Sequence, residues 1–277
     1  MTPSMTTPRS RHFWTRRCSV GSAWVALSSW SSQLRTSSSV ANRRTTMRRI
    51  ALILLLATAV GGVAHAQDTR PGVAVLPFEN GGSYGKDKED FEALRKGIAG
   101  MLLSELSQNP AIRLVDREQI QKLLDEHGLT ASNSVDAQTA ARLGKLVGAR
   151  YMIAGTFIDL YGDFRIDARI IDVETSEIIK VVKSDPKLTD RKQMFRVIQS
   201  VGERVMDGAK LSPLPAAKAQ AVRARNVPTE AVALYSRALL YQDQGDKQRA
   251  IEFYDQAIKA FPEYAEARDG LKRLRGG

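Results

Sequence analysis

The sequence predicts an α/β (α+β) sandwich on a mixed five-stranded sheet, followed by a small all-α helical hairpin at the C-terminus. Three observations lead there. Short apolar runs alternate with stretches of helical period in the order β-α-β-α-α-β-β-β-α, the pattern of helices laid on one or both faces of a sheet. The stretch GTFIDLYGDFRIDARIIDV (155–173) reads as two alternating strands with only Asp159 to Asp163 left for the turn. Beyond residue 228, alanines, tyrosines and a glycine recur at fixed helical offsets.

Gly72 to Phe78 is a short apolar run ended by Pro77 and a glycine-rich loop, as in a buried strand. A helix is predicted from about Lys88 to Gln108, with Phe91, Leu94, Ile98, Met101, Leu102 and Leu106 on its buried stripe and Asn109-Pro110 as its stop. Ala111 to Val115 is a second strand. Asp116, with Gln119 three residues on, has capping-box spacing and opens a helix that ends at Gly128. A third helix runs from Ser134 or Asp136 to Val147. The 155–173 hairpin, a turn at 174–177 and a strand from Ile178 to Lys183 complete the sheet. A fourth helix spans about Thr189 to Asp207, with Met194, Val197, Ile198, Val201 and Val205 facing inward. Residues 209–228 carry Pro213, Pro215, Pro228 and four basic residues without an acid, and are expected to form a solvated, extended linker.

The formal charge of +11 suggests a nucleic-acid or membrane-surface protein, but its distribution does not. Residues 1–46 hold seven arginines, all three tryptophans, the only cysteine and no acid, and no periodicity. Met47-Arg48-Arg49, the apolar run Ile50 to Val60, and Ala64-His65-Ala66 before Gln67 form the tripartite pattern of a cleavable signal peptide. Translation is accordingly expected to begin at Met47, with 1–46 a non-native or disordered extension, 47–66 the signal peptide, and a cut between Ala66 and Gln67. Subtracting the seven arginines of 1–46 and Arg48 and Arg49 from +11 leaves +2 for 67–277. That segment has no cysteine, so the expected mature protein is neither disulfide-bonded nor lipidated. The expected location is the periplasm, with a peripheral association with the outer membrane also open.

No chemistry is legible in 67–277, and no catalytic residue, metal or cofactor is expected. Its one histidine, His127, falls at a helix C-terminus, where a cation suits the dipole. Asp159, Asp163, Asp167 and Asp172 lack EF-hand spacing; the first two suit a turn and Asp167 a solvent face. Gly81-Gly82-Ser83-Tyr84-Gly85 lies between a strand and a helix but lacks the Gly-Lys-Ser/Thr ending of a phosphate loop. The linker's basic residues have no interleaved aromatics, so nucleic-acid binding is not expected.

From Ala231 onward, Ala238, Tyr241, Gly245, Ala250, Tyr254, Ala257 and Pro262 sit at offsets that resemble a tetratricopeptide repeat. Small Ala238 and Ala250 let two helices approach, Tyr241 and Tyr254 fill the groove, Gly245 makes the turn and Pro262 ends the second helix. Leu234 stands at the usual tryptophan position and Arg237 at a usually apolar one; residues 263–275 read as a capping helix. The resemblance implies a protein-binding module with no chemistry of its own. One repeat needs neighbours to bury its faces, so it must dock on its own N-terminal domain, another subunit or a partner, or serve as a structural cap.

VAVLPFEN (73–80) resembles the first strand of CsgG-type and TolB-amino-terminal-like domains. LVDREQIQKLLDEHGL (114–129), LGKLVGARYMIAGTFIDL (143–160) and RIIDVETSEIIKV (169–181) resemble, in order, motifs of the CsgG (curli production assembly/transport) family. The resemblance spans about 72–207 and implies a periplasmic α/β domain that self-associates. Its pore-forming members carry a lipidated N-terminal cysteine and membrane-spanning hairpins; this sequence has Gln67, and connections between 158 and 166 and between 182 and 194 too short for strands of about 9–11 residues to cross and return. The expected organisation is a CsgG-like domain (67–208), a linker (209–228) and the repeat with its capping helix (229–277). The expected role is a non-enzymatic assembly or interaction factor for envelope or secretion machinery, with protein partners and no membrane-spanning segment. The alternatives are a subunit of a curli-type outer-membrane secretion pore, and a nucleotide- or ligand-binding envelope regulator.

Overall fold

A computed structural model of the chain describes residues 68–82, 88–129 and 135–276. The residues of the expected cleavage site, Ala64, Ala66 and Gln67, and the 83–85 part of the glycine-rich loop, lie outside the described residues. Residues 67–277 form one compact unit.

The sheet runs β3-β1-β4-β5-β6, with β1 (Gly72–Val75) parallel to β3 (Arg113–Leu114) and to β4 (Tyr151–Leu160), and β4, β5 (Asp163–Asp172) and β6 (Glu177–Lys183) antiparallel. A two-residue strand, β2 (Glu79–Asn80), continues the line of β1 along β4 and was not foreseen. Pro77 interrupts β1; Phe78 restores the course by donating its amide to the Arg95 carbonyl, while Arg95 Nε donates back to the Phe78 carbonyl at 2.9 Å.

Helices cover both faces. α1 (Lys88–Ser107) and α4 (Met194–Gly208) pack on one, over Phe157, Phe164, Ile166 and Ile170; α2 (Arg117–Glu126) and α3 (Ala137–Leu146) pack on the other, over Ala74, Met152 and Ile171. Asp116 caps α2 as expected, and Asp136 caps α3 by accepting from Thr139 N at 2.6 Å, while Ser134 lies outside the described residues. The fourth predicted helix starts later than its periodicity suggests: Asp190 caps a single 3-10 turn at 191–193, and α4 begins at Met194.

The β4–β5 hairpin pairs along ten rungs and closes on two residues, Tyr161 and Gly162, at φ +55° and +96°, the backbone that matches strand twist in two-residue turns. Asp163 therefore pairs with Leu160 on the last rung and Asp159 with Phe164 on the rung before, and neither is in the turn. Asp159 lies on the buried face in an ion pair with Arg191 at 3.2 Å. β6 is an edge strand whose Ile178, Ile179 and Val181 remain exposed while Val182 is buried.

The expected extended linker is instead partly helical. Residues 216–224 form α5 behind Pro215, with Val222 buried and its carbonyl accepting from Gln199 Nε2 at 2.7 Å. Two of the linker's four bases have partners on other elements: Arg223 pairs with Glu203, and Arg225 with Glu105 and Glu266. An alanine-rich segment favours helix intrinsically, and the acids that neutralise it are distant in sequence.

α6 (Thr229–Asp243), α7 (Lys247–Ala260) and α8 (Ala265–Gly276) complete the chain. α6 lies along α1, and the buried core runs without a break from Ile98 and Leu102 into Ala231, Tyr235 and Leu239.

A cleft walled by the docked repeat

Ala238, Ala250, Ala257 and Tyr254 are fully buried and Gly245 turns the chain at φ +78°. The tyrosines do more than fill one groove: Tyr241 stacks on Phe253 at 5.4 Å and its hydroxyl reaches Glu89 of α1, while Tyr254 packs beneath α8 at Gly270. Pro262 follows Phe261, which caps α7.

The face of α6 is taken by the chain's own α1. A Cβ on Gly97 would stand 1.8 Å from Ser236 Oγ, and one on Gly100 2.9 Å from the Tyr235 hydroxyl, so α1 is bare where α6 crosses it. Arg237, the polar departure from the repeat's pattern, pairs with Asp90 of α1 at 2.5 Å. Asp243, at the end of α6, accepts from Lys96 at 2.6 Å and from Arg117 at 2.7 Å, all three side chains at most 13% exposed. On the other side, α8 covers α7. The neighbours that a lone repeat lacks are thus supplied by α1 and α8.

A second buried cluster joins α1, α4, the linker and α8. Arg225 Nη2 donates to both carboxylate oxygens of Glu266, at 2.8 and 2.9 Å, while Nη1 reaches Glu105 only at 3.3 Å. Burial pushes the Glu105 carboxyl up to about 7, and the attraction of Arg225, spent mainly on Glu266, does not overcome it. Arg225, although burial disfavours its charge, is held above its ordinary value by Glu266 and then Glu105.

Docking of the repeat leaves a cleft of about 650 Å³ beyond the C-terminal end of β1, the side of a parallel strand where α/β sheets commonly take ligands. Leu76, Ala154, Leu124 and Leu129 form its apolar part, Leu240 of α6 adds a wall, and Glu79, Glu92, Asp125 and Gln244 stand on its rim. Glu79 accepts from the amide of Val135 at 3.2 Å, and Asp125 from Gln121 Nε2 at 2.8 Å. The sequence gives no local sign of this site, because its walls come from segments up to about 170 residues apart.

The aspartates of the calcium reading are not brought together. Asp159 pairs with Arg191, Asp167 lies on the opposite sheet face, and Asp172 binds Arg150 and the turn amides of Glu174 and Thr175 at the far end of the hairpin. Among the described residues there is no cluster of three acids, histidines or cysteines that could hold a metal, and no helix long and apolar enough to cross a membrane. His127 is exposed at the end of α2.

Fold and cleft thus define a two-sided α/β sandwich with a docked helical repeat. Residues 61–163 match the family model of CsgG, the curli production assembly/transport component, and residues 231–264 match that of the tetratricopeptide repeat. The first match ends at the β4–β5 turn, short of the span to 207 that the motifs suggested. No curated protein matches the chain. Among solved structures, the chain is similar to the LpoB C-terminal domain from Salmonella enterica (22% identity, 48% of this chain and 90% of that one, TM-score 0.29). It is also similar to TolB from Acinetobacter baumannii (15%, 50% and 27%, 0.32) and to a PelC dodecamer from Paraburkholderia phytofirmans (15%, 52% and 91%, 0.31).

Proposed function

We propose that the protein is a non-enzymatic interaction factor of the cell envelope, exported to the periplasm, which holds a partner protein at the cleft between its α/β domain and its repeat. The observation that carries this reading is the composite wall: Leu240, Asp243 and Gln244 of the repeat face Leu76, Glu79 and Leu124 of the sandwich across one opening. The matches to CsgG and to the tetratricopeptide repeat support an envelope protein-interaction role. Occupation of α6 by α1 favours the cleft over the repeat's own groove as the place of contact.

A curli-type pore subunit is the weaker reading. The β4–β5 hairpin turns on two residues and its inner face is committed to the core through Phe157, Phe164 and Ile166. Site-specific photo-crosslinking in intact cells tests the proposal. A probe at Gln244 on the rim is expected to give a discrete adduct with an envelope protein, and one at the exposed, distant Lys259 is not. Equal labelling from both positions, or retention of the chain in the cytoplasm after osmotic shock, would refute it.

A further inference from the structure

We propose that the cleft takes a short cationic and apolar segment of the partner: an aliphatic or aromatic side chain on the floor, with lysine or arginine beside it at the rim. This rests on the interaction role above and specifies its chemistry. Among the described residues bordering the cleft, five carboxylates (Glu79, Glu89, Glu92, Asp125 and Asp243) face three cations, Lys88, Arg95 and Lys96. Two of those cations are already committed. Arg95 binds the Phe78 carbonyl and one oxygen of Glu92, and Lys96 binds Asp243 and Gln121.

Three of the carboxylates are also taken: Asp243 by Lys96 and Arg117, Glu79 by the Val135 amide and by Arg169 at 3.9 Å, and Glu89 by the Tyr241 hydroxyl. Glu92 and Asp125 are less fully used. Each has about four lone-pair sites; Glu92 spends one on Arg95 and leaves 40% of its side chain in water, and Asp125 is exposed with Gln121 as its side-chain donor. An anion would meet these two carboxylates at the rim. It would also find the positive end of α1 already opposed by Glu89 and Asp90. The floor of Leu76, Leu124, Leu129 and Ala154 gives nothing to a purely polar cation. A volume of about 650 Å³ is within the range of ligand pockets, roughly 300–1,000 Å³, and holds a few side chains.

Fluorescence polarisation with the purified full chain tests this, using labelled peptides of sequence Lys-Leu-Phe-Leu-Arg, Glu-Leu-Phe-Leu-Glu and Ser-Leu-Phe-Leu-Ser. The cationic peptide is expected to bind, more weakly as salt rises, and the other two at least about tenfold less tightly. The double variant Glu92→Gln, Asp125→Asn removes both rim charges while keeping an oxygen acceptor for Arg95 and for Gln121; its thermal unfolding is expected to stay close to the parent while cationic binding falls by about tenfold or more. Equal binding of the acidic or neutral peptide, full competition by spermidine, indifference to the double variant, or no binding would each overturn the inference. If the peptides fail but the Gln244 adduct persists, the chemistry is wrong and the interaction role stands. If the adduct is also absent, both fall.

Discussion

Gly97 and Ser236 meet so closely that a single methyl group decides how α6 lies on α1. Alanine at 97 would place its Cβ 2.6 Å from Ser236 Cβ and 3.2 Å from its Cα, so the strain falls on backbone as well as on the hydroxyl. Gly97→Ala gains roughly 1 kcal/mol of helix propensity and loses more through overpacking. A net loss of about 1–2 kcal/mol is expected in urea unfolding, with most of it recovered by adding Ser236→Gly. Recovery would show that the loss arises at this crossing. Glu105 acts through protonation. Its folded value is raised from 4.5 to about 7, so its contribution to stability is fully present below about pH 4.5 and is lost as pH rises through 7. Glu105→Gln, which stays neutral, is expected to flatten that window. Wild type should lose about 1–3 kcal/mol between pH 5 and 8 that the variant does not, measured by urea unfolding at each pH.

Docking of the repeat as an element rests on two kinds of charge pair. Arg237–Asp90 is partly in water and Arg237→Ala should cost less than about 1 kcal/mol. Asp243→Ala leaves Lys96 and Arg117 together without their shared carboxylate, and about 3 kcal/mol is expected to go. Hydrogen exchange should show the second variant, and not the first, speeding exchange throughout α6. In the hairpin, Gly162→Val forces a branched residue to φ +96° and should lower Tm by several degrees, whereas Tyr161→Asn suits φ +55° and should hold or raise it. These elements were legible to different degrees. The stripe of α1 and the helical hairpin of the repeat could be read directly, because 3.6-residue period and small-residue spacing are local signals. The helix at 216–224 was hidden because the acids that neutralise Arg223 within it and Arg225 just beyond it, Glu203, Glu105 and Glu266, lie on other elements. Strand β2 was hidden because two residues have no period. The cleft was hidden because Leu76, Leu124 and Leu240 become neighbours only after folding.

At the scale of the molecule, one core passes from the sheet through α1 into the repeat. The repeat is therefore expected to unfold with the sandwich: far-ultraviolet circular dichroism and tyrosine fluorescence should trace one coincident transition. Removing residues 229–277 should expose the apolar side of α1 around Ile98 and Leu102 and yield an aggregating chain; a well-behaved truncated monomer would contradict the continuity of that core. The opposite holds at the hairpin's far tip, where Tyr161 stands fully in solvent. The side chain at 161 packs on nothing, so a short epitope spliced after Tyr161 should be carried on a folded sandwich, its cost confined to the tight turn and to the bond from the Arg191 amide to the Gly162 carbonyl, with Tm lowered by no more than several degrees. Length is free to drift at that point, and an arm of any reach could grow there without disturbing the scaffold that bears it.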